Sequence, residues 1–182
     1  MQTSELPEAD TAKYVEEVDS LGHSKYYTYP DIKNISVLKD ILTNADAVYA
    51  FNFNGHNANS ANVECDDLFE LPSNKLCPSA TKKTKLMTSQ IIDLIKITCD
   101  TTIYSGQWSG LAGVCFIPHL GFGFFKKDSL IAQVNVCFLC SGIRTRPYYK
   151  SDELTITGRQ KFYELAKRLD MEIVDGKSKL TY

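Results

Sequence analysis

Two long apolar segments joined by a short polar turn constrain this chain more than any other part of its sequence. The segments occupy residues 113–126 and 130–140, and Lys127-Asp128 lies between them. Apolar runs of this length around a two-residue turn are typical of a β-hairpin. A Pro-His-Leu-Gly sequence at residues 118–121 interrupts the first run. We therefore predict two antiparallel strands that pair across this turn.

The turn determines which side chains face each other across the hairpin. With the turn at its centre, Phe124 faces Ile131, and the same ladder places Cys115 opposite Cys140. Residues 118–121 include a proline, which cannot donate to the ladder, and a glycine, which often marks a bulge. A one-residue shift of register is compatible with this pattern. Either register keeps the cysteines at the same end of the hairpin.

Cys115, His119, Cys137 and Cys140 lie at that end, and their chemistry has three interpretations. The first is structural, with buried thiols or a Cys115–Cys140 disulfide across the hairpin. The second is a zinc site formed by all four side chains, whose types suit tetrahedral coordination. The third is a thioredoxin-type redox pair of Cys137 and Cys140. A continuous strand disfavours that pair, because cysteines three residues apart then lie about 10 Å apart on opposite faces.

A basic segment follows the hairpin. Residues 141–182 contain nine Lys or Arg residues against six Asp or Glu, whereas residues 1–20 contain six acidic residues and one lysine. Arg144, Arg146, Tyr148 and Lys150 form a candidate binding site for an acidic or phosphate-bearing partner. The net charge of the whole chain is −2, which argues against a nucleic-acid partner.

Hydrophobic periodicity predicts the other elements of secondary structure. The predicted helices span residues 8–18, 31–44, 88–99 and 155–169, and a predicted strand spans residues 46–54. Thr88 or Ser89 is expected to cap the third helix, and Thr155 or Thr157 the fourth. We therefore expect an α+β fold, an antiparallel sheet of about four or five strands with three or four helices packed mainly on one face.

The length of the chain favours a single domain over residues 1–182. Residues 1–7 and 176–182 are expected to be disordered because they are short, polar ends. Residues 55–84 are rich in Asn, Pro and Lys, and we expect them to form a long loop.

The sequence contains no 18-residue apolar run, so it predicts no transmembrane segment. The first ten residues lack the apolar region of a signal peptide. Their polar composition would suit the tether of a mature lipoprotein. We expect a periplasmic or cell-envelope location if a leader has been removed, and a cytoplasmic location otherwise.

The hairpin resembles a pattern in uncharacterised bacterial proteins, many of them from Bacteroidetes. Those proteins carry Cys-Phe-x-Pro-x-His-Gly, an aromatic strand, a turn, and a strand that ends in Cys-Phe-x-Cys. Here Cys115-Phe-Ile-Pro-His-Leu-Gly and Cys137-Phe-Leu-Cys140 correspond to these motifs, although His119 lies one place from the family position. The resemblance implies that the hairpin is a unit and that an exported or lipid-anchored origin is expected. It implies no activity.

These patterns favour a small, non-enzymatic binding or accessory domain, associated with the cell envelope, whose partner is a protein or a small molecule. The alternative is a zinc-binding or thiol-redox protein that uses Cys115, Cys137 and Cys140. The sequence has no phosphate-binding loop, nucleophile elbow or HExxH motif. We therefore expect no catalytic residue, and no cofactor unless zinc binds to the cysteines.

Overall fold

A computed structural model describes residues 15–18, 24–27, 32–53, 67–70, 75–105, 116–146, 150–175 and 178–180. Its helices are α1 (Ile32–Thr43), α2 (Thr88–Thr98), α3 (Ile156–Arg168) and a 3-10 helix (Thr101–Ile103). Its longer strands are β3 (Ala47–Phe53), β6 (Ala80–Lys85), β7 (Leu120–Lys126), β8 (Ser129–Cys137), β9 (Gly142–Arg146) and β10 (Lys150–Glu153). The short strands are β1 (Val15–Val18), β2 (Ser24–Tyr27), β4 (Phe69–Glu70), β5 (Lys75–Leu76), β11 (Val174–Asp175) and β12 (Ser178–Lys179).

The six longer strands form one antiparallel sheet in the order β10-β9-β8-β7-β3-β6. Strands β7 to β10 form a meander in which each strand pairs with the next, and β3 inserts between β7 and β6. The predicted α+β class and antiparallel sheet are confirmed. The sheet has one strand more than the upper number expected, and the described residues contain three α-helices.

The larger core lies between one face of this sheet and the three helices, as expected for helices packed mainly on one face. Strand residues at alternate positions supply its sheet side: Val48, Ala50, Leu120, Phe122, Phe124, Ala132, Val134 and Val136. The helices contribute Leu38, Leu42, Leu94, Ile95, Phe162, Leu165 and Ala166. Burial of this apolar surface is the main favourable contribution to folding.

The opposite face of the sheet is covered by residues 67–70 and 75–77. Phe51, Phe53, Leu68 and Phe69 form a second buried cluster there, and the Phe51 and Phe69 rings meet edge to face at 5.7 Å. The aromatic side chains on this face are therefore also buried, although the sequence between β3 and β6 is largely polar.

Two fully buried amides hold this covering segment on β8. The Gln133 side chain accepts a hydrogen bond from the Phe69 backbone N–H (2.8 Å) and donates one to the Phe69 carbonyl (2.9 Å). Asn135 Oδ1 accepts from the Leu68 N–H (3.2 Å), and Asn135 Nδ2 donates to Asp67 (3.0 Å). The side chains thus replace the backbone pairing that a neighbouring strand would supply.

Two of the predicted helices and one strand have the expected bounds within one or two residues, namely α1, α2 and β3. The fourth predicted helix is α3, and Thr155 caps it by accepting from the Gly158 N–H (3.0 Å). The predicted cap of α2 by Thr88 or Ser89 is wrong. Instead the Gln90 side chain accepts a hydrogen bond from the backbone N–H of Met87 (2.8 Å).

Three other expectations are corrected. Residues 15–18, predicted as the end of a helix, form a strand paired with Ser24–Tyr27. The expected loop of residues 55–84 contains β4, β5 and most of the edge strand β6, whose exposed Lys82, Lys83 and Lys85 leave no apolar alternation in the sequence. Ser178–Lys179, expected in a disordered tail, pairs with Val174–Asp175. Leu180 is also described. The remaining residues of the expected disordered ends, 1–7, 176, 177, 181 and 182, lie outside the described part.

The turn of the main hairpin lies at Lys127-Asp128 as predicted, and both residues have positive φ values of 46° and 65°. The register beyond the turn differs from the simple ladder. Phe124 faces Ala132 instead of Ile131, because a one-residue shift lies between Phe124 and Phe125. The shift compatible with the sequence therefore occurs, but nearer the turn than the proline.

We predict that Gln133→Leu destabilises the fold. Leucine cannot accept a hydrogen bond from the buried Phe69 N–H or donate one to the Phe69 carbonyl. We therefore expect a loss of about 2–4 kcal/mol in the free energy of unfolding. Urea denaturation measures this loss. Gln160→Leu, at an exposed position of α3, is the matched control, and an equal effect of both substitutions would contradict the role given to Gln133.

The contact between the 3-10 helix and α3 predicts a pH dependence of stability. Asp100 accepts from Lys161 Nζ (2.8 Å) and from Thr102, and these bonds lower the pKa of Asp100 from 3.8 to about 2. The stabilisation is therefore present above the unfolded pKa and is lost as the pH falls from about 3.8 to about 2. Urea denaturation across this range should show that the wild type unfolds with a higher free energy than Asp100→Asn near pH 3.8 and above, and that this difference shrinks as the pH falls towards about 2. A constant difference between the two proteins would contradict the assignment, and Lys161→Met should reproduce the effect of Asp100→Asn.

Candidate functional site

The Cys137-Phe-Leu-Cys140 sequence lies in a tight turn between β8 and β9. Strand β8 ends at Cys137, which pairs with Gly142, and residues 138–141 form the connecting turn. Ser141 has a positive φ of 54°. The prediction of a strand through residue 140 is therefore wrong, and so is the argument that a continuous strand separates the two sulfurs.

The turn brings Cys140 against the sulfur of Cys137. The backbone N–H of Cys140 lies 3.5 Å from Cys137 Sγ and donates to it. A side-chain hydrogen bond also joins the two cysteines. Both residues carry thiols that are not in a disulfide.

His119 approaches the same sulfur from the strand beside β8. Its backbone N–H donates to the Val136 carbonyl (2.9 Å), and its carbonyl accepts from the Phe53 N–H (3.0 Å), so β8 and β3 both hold it. Its side chain is fully buried and forms a hydrogen bond with Cys137. The register shift explains this proximity, because the last pair of the shifted ladder is Leu120 and Val136, and His119 and Cys137 are the next residue on each strand.

The tautomer of His119 follows from a further hydrogen bond. Nδ1 accepts from the backbone N–H of Phe138 (3.1 Å). A neutral imidazole with an accepting Nδ1 carries its proton on Nε2. The ring proton therefore lies on Nε2, a buried atom, and not on the nitrogen that faces the Phe138 N–H.

These contacts stabilise Cys137 as a thiolate. The hydrogen bond from the Cys140 side chain lowers the pKa of Cys137 most, and the contacts with His119 and the Cys140 N–H lower it further. Burial opposes them, since it disfavours the charged form. The hydrogen bonds outweigh burial, and the pKa of Cys137 falls far below its ordinary value of 9.0.

Aromatic contacts anchor the turn to the helix layer. The His119 and Phe138 rings meet at 6.3 Å, and the Phe138 and Tyr163 rings at 6.2 Å, both near edge-to-face. Phe138 is fully buried, and Tyr163 belongs to α3. The Arg159 side chain, also on α3, donates to Ser141 Oγ (3.2 Å). The positions of the two cysteines are therefore set by a packed core.

The two sulfurs differ in exposure. Cys137 is fully buried, whereas Cys140 is half-buried and the adjacent Leu139 is 46% exposed. Reagents in solution therefore reach the turn from the side of Cys140.

The structure brings three of the four predicted zinc ligands together, and Cys115 lies outside the described residues. The geometry of His119 does not suit a metal ligand, because metal bound at Nε2 would require the ring proton on Nδ1, which faces the Phe138 N–H. In the ranges that the structure describes, no three His, Cys, Asp or Glu side chains are grouped to hold a metal ion. The described donors thus fit a hydrogen-bonded thiolate better than a zinc centre.

The predicted Cys115–Cys140 disulfide is not formed, because Cys140 carries a thiol. Its contact is with the sulfur of Cys137, three residues away. The turn accounts for this difference, since it folds Cys140 back towards its own strand.

The described arginines of the predicted basic site make internal contacts. Arg144 is 8% exposed, and its guanidinium lies 4.1 Å from the centre of the Phe116 ring. Arg146 contacts Asp67 through two nitrogens at 3.0 Å and 2.9 Å. Tyr148 and the side chain of Lys150 lie outside the described part. Arg144 and Arg146 therefore stabilise the second face of the sheet.

Sequence reasoning missed the polar contacts on that face. Gln133 and Asn135 alternate with Ala132, Val134 and Val136 in β8, and this alternation of amides with apolar residues was a usable signal. It indicates a strand with one apolar face and one face that needs hydrogen-bond partners.

Comparisons with family models, with curated proteins and with solved structures gave no significant match. None of the helices in the described ranges is long and apolar enough to cross a membrane. The fold and the site show that this protein is an α+β domain in which one turn carries two thiols.

We predict that Cys137 is a thiolate at neutral pH and that His119 helps to maintain it. His119→Phe removes the imidazole hydrogen bond and should shift the pKa of Cys137 upwards. The ultraviolet absorbance of the thiolate, followed against pH, measures this shift. Cys99→Ser, which alters a thiol at the end of α2, should leave the titration unchanged. A Cys137→Ser variant that keeps the full thiolate signal at neutral pH would refute the assignment.

Proposed function

We propose that this domain carries out reversible thiol–disulfide chemistry at Cys137 and Cys140. The observation that carries this proposal is the double contact of Cys140, through its backbone N–H and its side chain, with the sulfur of Cys137. A thiolate is the nucleophile in disulfide exchange, and a neighbouring second thiol can resolve the mixed disulfide that exchange produces.

The turn supports a disulfide because it folds Cys140 back against the sulfur of Cys137. Formation of the disulfide removes the proton shared between them and two electrons, and a low-molecular-weight disulfide accepts both electrons and the proton and leaves as one thiol and one thiolate. The N–H of Cys140 stabilises the reduced form by donating to the Cys137 thiolate. Stabilisation of the reduced form makes a disulfide a stronger oxidant.

This proposal differs from the non-enzymatic binding role that the sequence favours. Two residues of the candidate binding site named for that role, Arg144 and Arg146, have partners within the domain. The alternative expectation, a thiol-redox protein, gains support from the turn and from His119. We therefore place the thiol-redox function first.

We predict that glutathione redox buffers convert the wild-type protein reversibly between a dithiol and a Cys137–Cys140 disulfide. Trapping of thiols by alkylation, followed by peptide mass spectrometry, identifies the two cysteines and gives the midpoint potential. Cys99→Ser is the matched control and should show the same midpoint. Cys137→Ser and Cys140→Ser should each abolish the transition.

Two results would contradict the proposal. One is a pair of cysteines that stays reduced across the whole range of glutathione buffers. The other is stoichiometric zinc in the purified protein that protects both cysteines from alkylation until a chelator removes it, which would favour the zinc-binding alternative.

A further inference from the structure

The two cysteines of the turn are unequal in a way that bears on the order of reaction. The buried sulfur of Cys137 accepts a hydrogen bond from the Cys140 N–H and lies beside His119, whereas Cys140 is half-buried at a turn whose tip, Leu139, is exposed. The stabilised thiolate and the accessible sulfur therefore belong to different residues.

We propose, on the basis of the thiol–disulfide function above, that Cys140 is the sulfur that exchanges with external disulfides and that Cys137 is the internal, resolving sulfur. An external disulfide cannot align with Cys137 for attack, because the fold encloses that sulfur completely. It can align with Cys140, which is only half-buried.

The shared proton makes this order chemically balanced. In the resting pair Cys140 donates its S–H to the Cys137 thiolate. As an external disulfide RSSR meets Cys140, this proton passes to Cys137, the Cys140 sulfur bonds to one sulfur of RSSR, and RS⁻ leaves. Cys137 then passes its proton to the departing thiolate and attacks the Cys140 sulfur. The second RS⁻ leaves, and the protein has lost one proton and two electrons while RSSR has become RS⁻ and RSH.

The structure gives His119 a supporting role in this sequence. Its ring is oriented by the Phe138 N–H at Nδ1 and contacts Cys137, so it stabilises the buried sulfur when that sulfur carries the charge. Phe138 lies between the two cysteines and also packs against Tyr163. His119 is thus a positioning residue, since its contact with the exchanging sulfur passes through Cys137.

The order of reaction predicts where a mixed disulfide accumulates. Oxidised glutathione should form a stable adduct on Cys140 in Cys137→Ser, because the resolving sulfur is absent. In folded Cys140→Ser the adduct on Cys137 should form at least about tenfold more slowly, because access limits exchange, and urea should abolish this protection. Peptide mass spectrometry after acid quenching locates and quantifies each adduct.

A second measurement tests the shared proton. Alkylation of Cys140 by iodoacetamide should be faster at neutral pH in the wild type than in Cys137→Ala, because the Cys137 thiolate accepts the Cys140 proton as the new bond forms. An adduct that forms more rapidly on Cys137 in folded Cys140→Ser would overturn the proposal, as would identical alkylation rates at neutral pH. Failure of the wild type to form the internal disulfide would instead overturn the proposed function itself.

Discussion

A one-residue shift in the pairing of β7 with β8 governs both the core and the candidate site. Strand side chains alternate between the two faces, so a shift of one residue exchanges the faces for the rest of the strand. After the shift, Phe122 and Val134 share the helix face, while Gly123 and Gln133 share the opposite face. The same shift brings His119 and Cys137 side by side just beyond the last pair of the ladder, Leu120 and Val136. Apolar packing, amide pairing and the thiolate contact thus depend on a single irregularity.

The apolar residues of β8 explain why the shift is favoured. With the shift, Val134 and Val136 enter the larger core, where both are fully buried. The simple ladder would direct Gln133 and Asn135 towards that core and away from their partners. A buried amide without partners costs about 1–3 kcal/mol, so the bulge next to the turn is the less costly arrangement.

The parts of the fold that were predictable from sequence are those with a strong local signal. Helices α1, α2 and α3 have apolar stripes, and β3 alternates, so their bounds were found within one or two residues. Strand β6 was missed because its exposed edge is occupied by lysines. The start of helix α2 was placed correctly, but its cap was not, because the cap position is Met87, which is not a preferred capping residue, and Gln90 accepts the hydrogen bond of its N–H.

The candidate site was located from sequence but its geometry was not. Cys137, Cys140 and His119 were identified by residue type and by their place at the end of the hairpin. Their mutual contacts depend on where β8 stops, and a continuous apolar run from residue 130 to 140 conceals that end. The break lies at residues 138–141, where Phe138 turns into the core beside Tyr163 and Ser141 adopts a positive φ.

The chemistry of the turn follows from the position of the charge. Thiol sites that use a helix N-terminus lower the pKa of an accessible cysteine through the helix dipole. Here the N–H and S–H of the neighbouring cysteine act on a cysteine that the fold encloses, and His119 lies beside it. A buried thiolate is stable only while its donors remain in place, because desolvation penalises the charge. Reaction at Cys140 removes one of those donors at the moment when the mixed disulfide forms. Once Cys137 has passed its proton to the departing thiolate, its charge lacks that donor and the sulfur becomes a stronger nucleophile, which favours resolution of the mixed disulfide over its release.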